Sequence, residues 1–242
     1  MKKSQIFKKS IFLFCVFIVL MVIISNMVKY QVEGEKSLPY SISKIFVIST
    51  VEGMPIDDGQ NIWNINVKQA NDLYFYIDKN EVTEETIKQI TIENFNVTKA
   101  PAKGEVAIYR PTGDLGKTYM HSEQNYLGES ITYTGATIDD LKTLEIANNG
   151  GVISCRVALD NLGNYISNDS TEITYDGKLL QNIGLTLEQI KFSLSFDILI
   201  ETNENVTFKG TISLDMPAED IIENGSSNFE ITDFENVVFK RI

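Results

Sequence analysis

Hydrophobic and polar residues alternate along most of the chain after residue 40, and a period of two is typical of β-strands with one buried face. The longest example covers residues 192–200 and 206–214, which predict the two strands of one hairpin. If residues 201–205 form its loop, Ile200 faces Val206. A slip of one residue would turn polar side chains into the core, so the alternation restricts the pairing.

Two further hairpins are predicted from turn residues and alternation. Asn149-Gly150 suits a type I′ turn, which needs positive φ at both central positions, and this turn would pair Ile146 with Ile153. Residues 63–77 alternate on either side of a polar stretch at residues 68–72, which predicts a third hairpin with its loop there.

Shorter runs of the same kind predict further strands at residues 42–51, 90–97, 105–110, 131–134, 171–175, 229–232 and 237–240. Helix is scarce, with short turns predicted at residues 83–88, 186–190 and 217–223. Many short strands separated by turn residues are typical of sandwiches and barrels. The predicted fold class is therefore all-β, with an antiparallel β-sandwich-like domain.

The N-terminal segment is of a different kind. Residues 11–28 are almost entirely apolar, and as a helix they would extend about 27 Å, enough to cross the core of a bilayer. Four lysines precede this run, which favours a cytoplasmic N-terminus. The prediction is a basic cytoplasmic tail at residues 1–10, a transmembrane signal anchor at 11–28, a spacer at 29–39 and an extracellular domain at 40–242.

A cleaved signal peptide is the alternative, because the apolar run is close in length to the hydrophobic region of such peptides. The residues that follow, Ser25-Asn26-Met27-Val28-Lys29, are mostly bulky where a signal peptidase needs small side chains. Cys15 follows Phe14 rather than a small residue, unlike a lipoprotein cysteine. An uncleaved anchor is therefore favoured.

Two segments of the domain share the pattern T-x-E-x-I-K, residues 83–88 and 186–191, and each precedes a predicted strand. A duplicated β unit would explain the match, with halves at residues 40–135 and 136–242. The alternation after the motif differs in phase between the two copies, so chance similarity stays open as the alternative.

Charge is distributed unevenly along the chain. Residues 1–28 contain four lysines and no acid, so the remainder carries 17 Lys and Arg against 33 Asp and Glu, a net charge of −16. Nucleic acid is bound by neutralising its phosphates, so we expect no nucleic-acid partner. Anionic lipid or wall polymer would repel the domain as a whole, and its acidity mainly favours solubility.

Little in the sequence points to catalysis. Cys155 lies in a predicted strand, where an isolated thiol is usually a small buried hydrophobe, and Cys15 lies in the apolar run. His121 is the single histidine, too few for an ordinary zinc site, and we expect it on a surface loop. No serine lies in a G-x-S-x-G context. We assign no catalytic, cofactor-binding or metal-binding residue and expect no cofactor.

The acidic residues leave two kinds of site open. Stretches rich in Asp and Asn at residues 57–59, 78–83, 160–164 and 168–169 offer oxygen ligands for calcium, although they also suit ordinary turns. A pair of carboxylates could hydrolyse a glycosidic bond, although no particular pair stands out.

Residues 111–128 form the longest stretch without clear periodicity between predicted strands. Long loops on β scaffolds often bind partners. This one contains Tyr119 and Tyr126, while Tyr74 and Tyr76 fall on the polar face of their strand. Exposed tyrosines can stack on sugars or contact a protein, but tyrosine is also common in strands without a further role.

An apolar N-terminal helix followed by an exported domain rich in Asn, Ile and Lys resembles the uncharacterised single-pass membrane-anchored proteins of low-GC Gram-positive bacteria. The resemblance covers layout and composition only. The predicted function is a non-catalytic binding or scaffolding module of the cell envelope, attached to the lipid bilayer and engaging another envelope protein. An envelope glycan hydrolase and, less favoured, a calcium-dependent adhesion module are the alternatives.

Overall fold

The computed structural model describes residues 2–56, 63–81, 83–112, 121–136, 144–167, 177–234 and 237–242. Within these ranges the chain forms one long helix, α1 (Lys2–Glu33), and three helical turns, α2 (Leu179–Asn182), α3 (Leu187–Ile190) and α4 (Ile221–Asn224). The strands, in chain order, are β1 (Tyr40–Ile56), β2 (Trp63–Lys79), β3 (Ile87–Lys99), β4 (Glu105–Tyr109), β5 (Ile131–Ala136), β6 (Glu145–Ala147), β7 (Gly150–Ser167), β8 (Phe192–Thr202), β9 (Thr207–Met216), β10 (Ser226–Ile231) and β11 (Lys240–Arg241).

The strands form two sheets. The first sheet has the order β10-β1-β2-β7-β4, and the second has the order β11-β9-β8-β3-β5-β6. Among the described strands every pairing is antiparallel except that of β5 with β6. Residues 40–135 and 136–242 both contribute strands to both sheets, and the suggested duplication stays a prediction.

One hydrophobic core draws on both sheets. Phe75 of the first sheet meets Phe196 of the second edge to face, with ring centroids 5.7 Å apart and an interplanar angle of 85°. Cys155 is fully buried in this core, as predicted, and burial raises the pKa of its thiol. The predicted all-β fold class is confirmed, and the apolar helix α1 precedes the β domain along the chain.

The predicted β8–β9 hairpin forms, but its register differs from the prediction by two residues. Ile200 pairs with Phe208 because the loop has three residues and not five. Thr202 N donates a hydrogen bond to the Val206 carbonyl (3.0 Å), and Asn205 has a φ of +57°. A left-handed residue that closes a tight turn is typical of three-residue hairpin loops, and Asn tolerates that conformation.

The predicted third hairpin is wrong, because β2 runs through residues 68–72 as one strand of 17 residues. The side chains of Gln69 and Asn71 occupy the inward-facing positions of this part of the strand, and both are fully buried. Asn71 Oδ1 accepts hydrogen bonds from Ser49 Oγ and Gln69 Nε2, each at 2.7 Å. Asn71 Nδ2 donates to the Val157 carbonyl at 3.2 Å. These bonds allow polar side chains to occupy core positions.

The predicted hairpin at Asn149-Gly150 is also wrong. Strand β6 before the turn pairs with β5 in the second sheet, whereas β7 after the turn pairs with β2 in the first. The turn therefore passes from one sheet to the other. Gly150 has a φ of +107°, and a Cβ there would lie 2.5 Å from the Ile77 carbonyl oxygen, so the position requires glycine.

The predicted helical turns have mixed outcomes. Those at residues 186–190 and 217–223 correspond to α3 and α4. In α3, Thr186 N donates to Gln189 Oε1 at 2.9 Å, as in a capping box. Residues 83–86 are irregular and lead directly into β3, so the turn predicted there is wrong. The strand predicted at residues 171–175 lies outside the described residues.

The end of α1 is joined to β11. Tyr30 Oη accepts a hydrogen bond from Arg241 N (2.6 Å) and donates to the Arg241 carbonyl (3.2 Å). Lys240 Nζ donates to Gln31 Oε1 at 2.6 Å. Since β11 pairs with β9, these hydrogen bonds connect the helix to the second sheet, whereas the spacer leads into β1 of the first sheet.

Candidate functional site

The outer face of the first sheet carries a row of three alanines from β2, β7 and β4. Ala70 lies opposite Ala158, and Ala158 lies opposite Ala107. Ala70 and Ala158 are fully buried although this face points away from the core. Their burial shows that other parts of the molecule cover this row.

An arginine next to this row on β7 binds two carboxylates. Arg156 on β7 lies opposite Asp72 on β2, and its Nε and Nη2 donate to the two Asp72 oxygens at 2.7 and 2.8 Å. Its Nη1 donates to Glu52 Oε1 on β1 at 2.9 Å, and Lys68 Nζ lies 3.0 Å from the other Glu52 oxygen. Burial lowers the pKa of Arg156, but the hydrogen bonds and charges of Asp72 and Glu52 outweigh it and raise the pKa overall.

Residues 121–126 lie along the edge of β4 that faces away from β7, and we call this segment the strap. Ser122 N donates to the Arg110 carbonyl (2.9 Å), and Tyr126 N donates to the Ile108 carbonyl (2.7 Å). Asn125 Oδ1 accepts from Ile108 N at 2.9 Å. These bonds satisfy backbone groups at the sheet edge and place the start of the strap over the ion pairs.

His121, at the start of the strap, is not the surface loop residue that the sequence led us to expect. Its side chain is only 9% exposed, and its Nε2 lies 3.5 Å from Asp72 Oδ1. Its Nδ1 is buried and has no hydrogen-bond partner among the residues that the structure describes. Burial lowers the pKa of His121, an effect that the nearby Asp72 charge only partly opposes, so the imidazole is neutral at neutral pH.

The resulting cavity, which we call the trough, has a volume of about 470 Å³. It is lined mainly by polar side chains, chiefly Lys68, Tyr109, His121, Arg156 and Asp160, together with the apolar Met54. Tyr109 Oη donates to Asp160 Oδ2 at 2.5 Å. Burial and this carboxylate together raise the pKa of Tyr109. Polar side chains from β2, β4, β7 and the strap thus line one concave surface, which is the usual form of a binding site.

The tyrosines considered in the sequence have different positions. Tyr74 and Tyr76 lie on the same outer face as the trough and are partly exposed, with Lys44 Nζ 4.7 Å from the centre of the Tyr76 ring. Tyr126 is buried, so it is not an exposed contact residue. Tyr119 lies outside the described residues.

The trough does not favour the glycan-hydrolase alternative. A glycosidase needs one carboxyl group to donate a proton and a second to act as base or nucleophile. Glu52 and Asp72 are both held by the Arg156 guanidinium, and Glu52 is also bound by Lys68. Carboxylate oxygens that already bind cations are less available to contact a glycosidic oxygen or a water molecule.

The calcium alternative gains no support from the stretches that the structure describes. Across those residues no three His, Cys, Asp or Glu side chains are grouped so as to hold a metal ion. In the 160–164 stretch, Asp160 accepts the Tyr109 hydroxyl, and Asn161 Nδ2 donates to Glu105 at 3.3 Å. The stretches at 57–59 and 168–169 lie outside the described residues.

No protein-family model, no curated protein and no solved structure matches this chain.

None of the ion-paired residues at the trough was predicted from the sequence. Glu52, Asp72 and Arg156 are separated by up to 104 positions and share no motif. Their only trace in the sequence is that each is a charged residue within an alternating segment. Such a residue usually lies on a solvated face, and only the pairing of β1, β2 and β7 brings these three together.

Proposed function

We propose that this protein is a membrane-tethered binding module of the cell envelope. The helix α1 holds the β-sandwich at the outer side of the membrane, and the trough engages a basic segment of another envelope protein. The proposed role is binding without catalysis. The observation that carries it is the polar trough on the outer face of the first sheet.

The tether is supported by the composition of α1. Residues Lys8–Glu33 form a helix that is long and apolar enough to cross a membrane, with a mean hydropathy of 2.9 over its most apolar window. Its apolar side chains are exposed along its length, as a lipid-facing helix requires. The lysines before it favour a cytoplasmic N-terminus, and in that orientation the sandwich would lie outside.

A basic partner follows from the charges around the trough. Arg156 and Lys68 are matched by Asp72 and Glu52, so their charges largely cancel. Asp160 and the exposed Glu123 add negative charge at the rim, and the part of the chain after residue 28 carries a net charge of −16. Complementary charge accelerates association and fixes orientation, so a partner with a positive segment fits this surface.

Two measurements on cells that express the full chain test the tether. Carbonate extraction should leave the protein in the membrane fraction, and external protease should digest the sandwich of intact cells. Mass spectrometry should find the residues before Lys29 still attached. A mature protein that begins near Lys29 would contradict the tether.

Site-specific crosslinking tests the trough. A photoreactive amino acid at Met54, which is 55% exposed at the rim, should give a discrete adduct with one envelope protein in cells. The matched control is Ser213, which is exposed on the outer face of the second sheet. The adduct should weaken at high salt and in the double variant Glu123→Gln/Asp160→Asn. Equal labelling from both faces, or no adduct at Met54, would refute the binding role of the trough.

A further inference from the structure

We propose that β11 and the C-terminal part of α1 form a second contact with the membrane, one that binds the phosphate groups of phospholipid headgroups. We call this surface the collar and define it as Lys29, Lys240, Arg241 and Ile242. The inference rests on the proposed membrane span of α1 and goes beyond the trough.

The position of the collar relative to the bilayer follows from the length of the helix. The apolar run ends at Val28, and Tyr30 lies two residues further along the helix, about 3 Å beyond the apolar end. Each polar headgroup layer is roughly 5–8 Å thick. Tyr30 is therefore at headgroup level, where tyrosine is commonly found in membrane proteins.

Hydrogen bonds hold β11 at the same level. Both backbone groups of Arg241 bind the Tyr30 hydroxyl, and the Lys240 ammonium binds Gln31 one residue further along the helix. These contacts use the backbone of Arg241 and leave its guanidinium exposed. The side chain of Arg241 thus starts from a backbone that is itself at the depth of the lipid phosphates.

The chemistry of the collar suits this position. Arg241, Lys240 and Lys29 are cations on a domain that is otherwise strongly acidic, and the Lys29 side chain is 57% exposed. Glu33 lies 3.9 Å from Lys29 but only 2.7 Å from Lys36, so it mainly pairs with Lys36. A guanidinium matches the geometry of a phosphate, and Ile242, 69% exposed beside it, offers an apolar group to the acyl boundary.

The test uses the full chain in vesicles of phosphatidylcholine and phosphatidylglycerol in equal amounts. In a Cys15→Ser background, Ile242→Cys is labelled with an environment-sensitive dye, and Cys155 stays unlabelled because it is fully buried. A lipid with a quencher at headgroup level should quench this dye strongly. A dye on Met54→Cys, at the far end of β1, should be quenched several-fold less.

Two variants distinguish the effect of the charges of the collar from the effect of the position of β11. Lys29→Glu/Arg241→Glu should reduce the quenching at position 242 several-fold, since it reverses the charges but keeps the backbone bonds of Arg241. Tyr30→Phe should also reduce it, because the bonds that hold β11 at this depth are lost without any change in charge. Equal quenching at positions 242 and 54, or no response to charge reversal, would overturn the collar.

The outcome also distinguishes the collar from the tether. If carbonate releases the protein from the vesicles, the proposed membrane span itself fails. If the protein stays in the vesicles while the dye at position 242 is fully accessible to water, only the collar fails.

Discussion

The hydroxyl of Tyr133 in the second sheet binds both backbone groups of Ser154 in the first: it donates to the carbonyl at 2.7 Å and accepts from the N–H at 3.2 Å. Strand β4 pairs with β7 only as far as Arg156, so Ser154 lies beyond the covered part of that edge. The fully buried Tyr133 side chain therefore supplies hydrogen bonds to the backbone of Ser154 at this edge and connects the two layers of the sandwich.

Replacing Tyr133 with Phe keeps the ring and removes the hydroxyl, which leaves two partly buried backbone groups of Ser154 without this partner. We expect a loss of about 1–3 kcal/mol in the free energy of unfolding, measured by denaturant titration of the full chain in detergent. Tyr76→Phe is the control, because Tyr76 is partly exposed on the outer face. A loss no larger than that of the control would show that the bridge contributes nothing measurable.

We expect Tyr133 also to make the stability of the fold sensitive to alkali. Burial raises the pKa of Tyr133 from its usual 10.0 to about 12, although the hydrogen bonds with Ser154 partly oppose this. The unfolded chain therefore loses its phenolic proton at a lower pH than the folded chain. The stability linked to this group is complete below pH 10.0 and is lost as pH rises to about 12. Stability curves against pH should be flatter in this window for Tyr133→Phe, and an unchanged slope would contradict the assignment.

We expect Asp197 to make the stability of the fold sensitive to acid. It accepts hydrogen bonds from Thr211 Oγ1 (2.6 Å) and Asn94 Nδ2 (2.8 Å) and pairs with Lys209 Nζ at 2.8 Å. Burial raises its pKa, but these three partners outweigh burial, so the pKa is lowered overall from 3.8. Its contribution to stability is thus present above pH 3.8 and is lost as pH falls through the lower, folded-state pKa.

Asp197→Asn should reduce the free energy of unfolding by about 1–3 kcal/mol at neutral pH and flatten the acid limb of the stability curve. Asp215→Asn is the matched control, since Asp215 is exposed and accepts a hydrogen bond from Ser193 on the same hairpin. Identical acid limbs for the wild type and Asp197→Asn would be the contrary result.

Removing Arg156 should leave Glu52 and Asp72 close together without their shared cation. We expect Arg156→Met to cost about 3 kcal/mol of stability, because an uncompensated carboxylate in a partly buried site is unfavourable. Adding Glu52→Gln and Asp72→Asn should restore much of the loss, and denaturant titration of the series measures the coupling. If the triple variant is no more stable than Arg156→Met, the loss comes from packing rather than charge.

Gly210 controls the docking of β11. A Cβ at this position would lie 2.8 Å from ring carbons of Phe239, just before β11. Gly210→Ala should displace the ring and destabilise the domain by about 1–3 kcal/mol. Hydrogen exchange at the Arg241 amide, which is bound by Tyr30, should accelerate. Ser213→Ala on the same strand is the control, and unchanged exchange at Arg241 would separate Gly210 from the helix junction.

The β8–β9 hairpin shows how far alternation can predict pairing. Alternation excludes a slip of one residue because polar side chains would enter the core. A shift of two residues keeps every side chain on its face, so Ile200 can pair with Phe208 as well as with Val206. The choice depended on Asn205, whose left-handed conformation shortens the loop.

The errors at β2 and at the β6–β7 turn have related causes. Gln69 and Asn71 are polar, and a local pattern cannot show that their hydrogen-bond partners, Ser49 and Val157, come from neighbouring strands. Asn149-Gly150 has the residues of a hairpin turn, but the partners of the strands on either side of it lie in different sheets.

By itself, the sequence determined the apolar N-terminal helix, the strands and most of their inward faces, because these follow from local periodicity and the burial of apolar surface. Only the tertiary structure decided the order of strands, the course of β2 and the existence of the trough. Glu52, Asp72, His121 and Arg156 become neighbours through pairing between distant strands, and such pairing depends on the packing of the whole core.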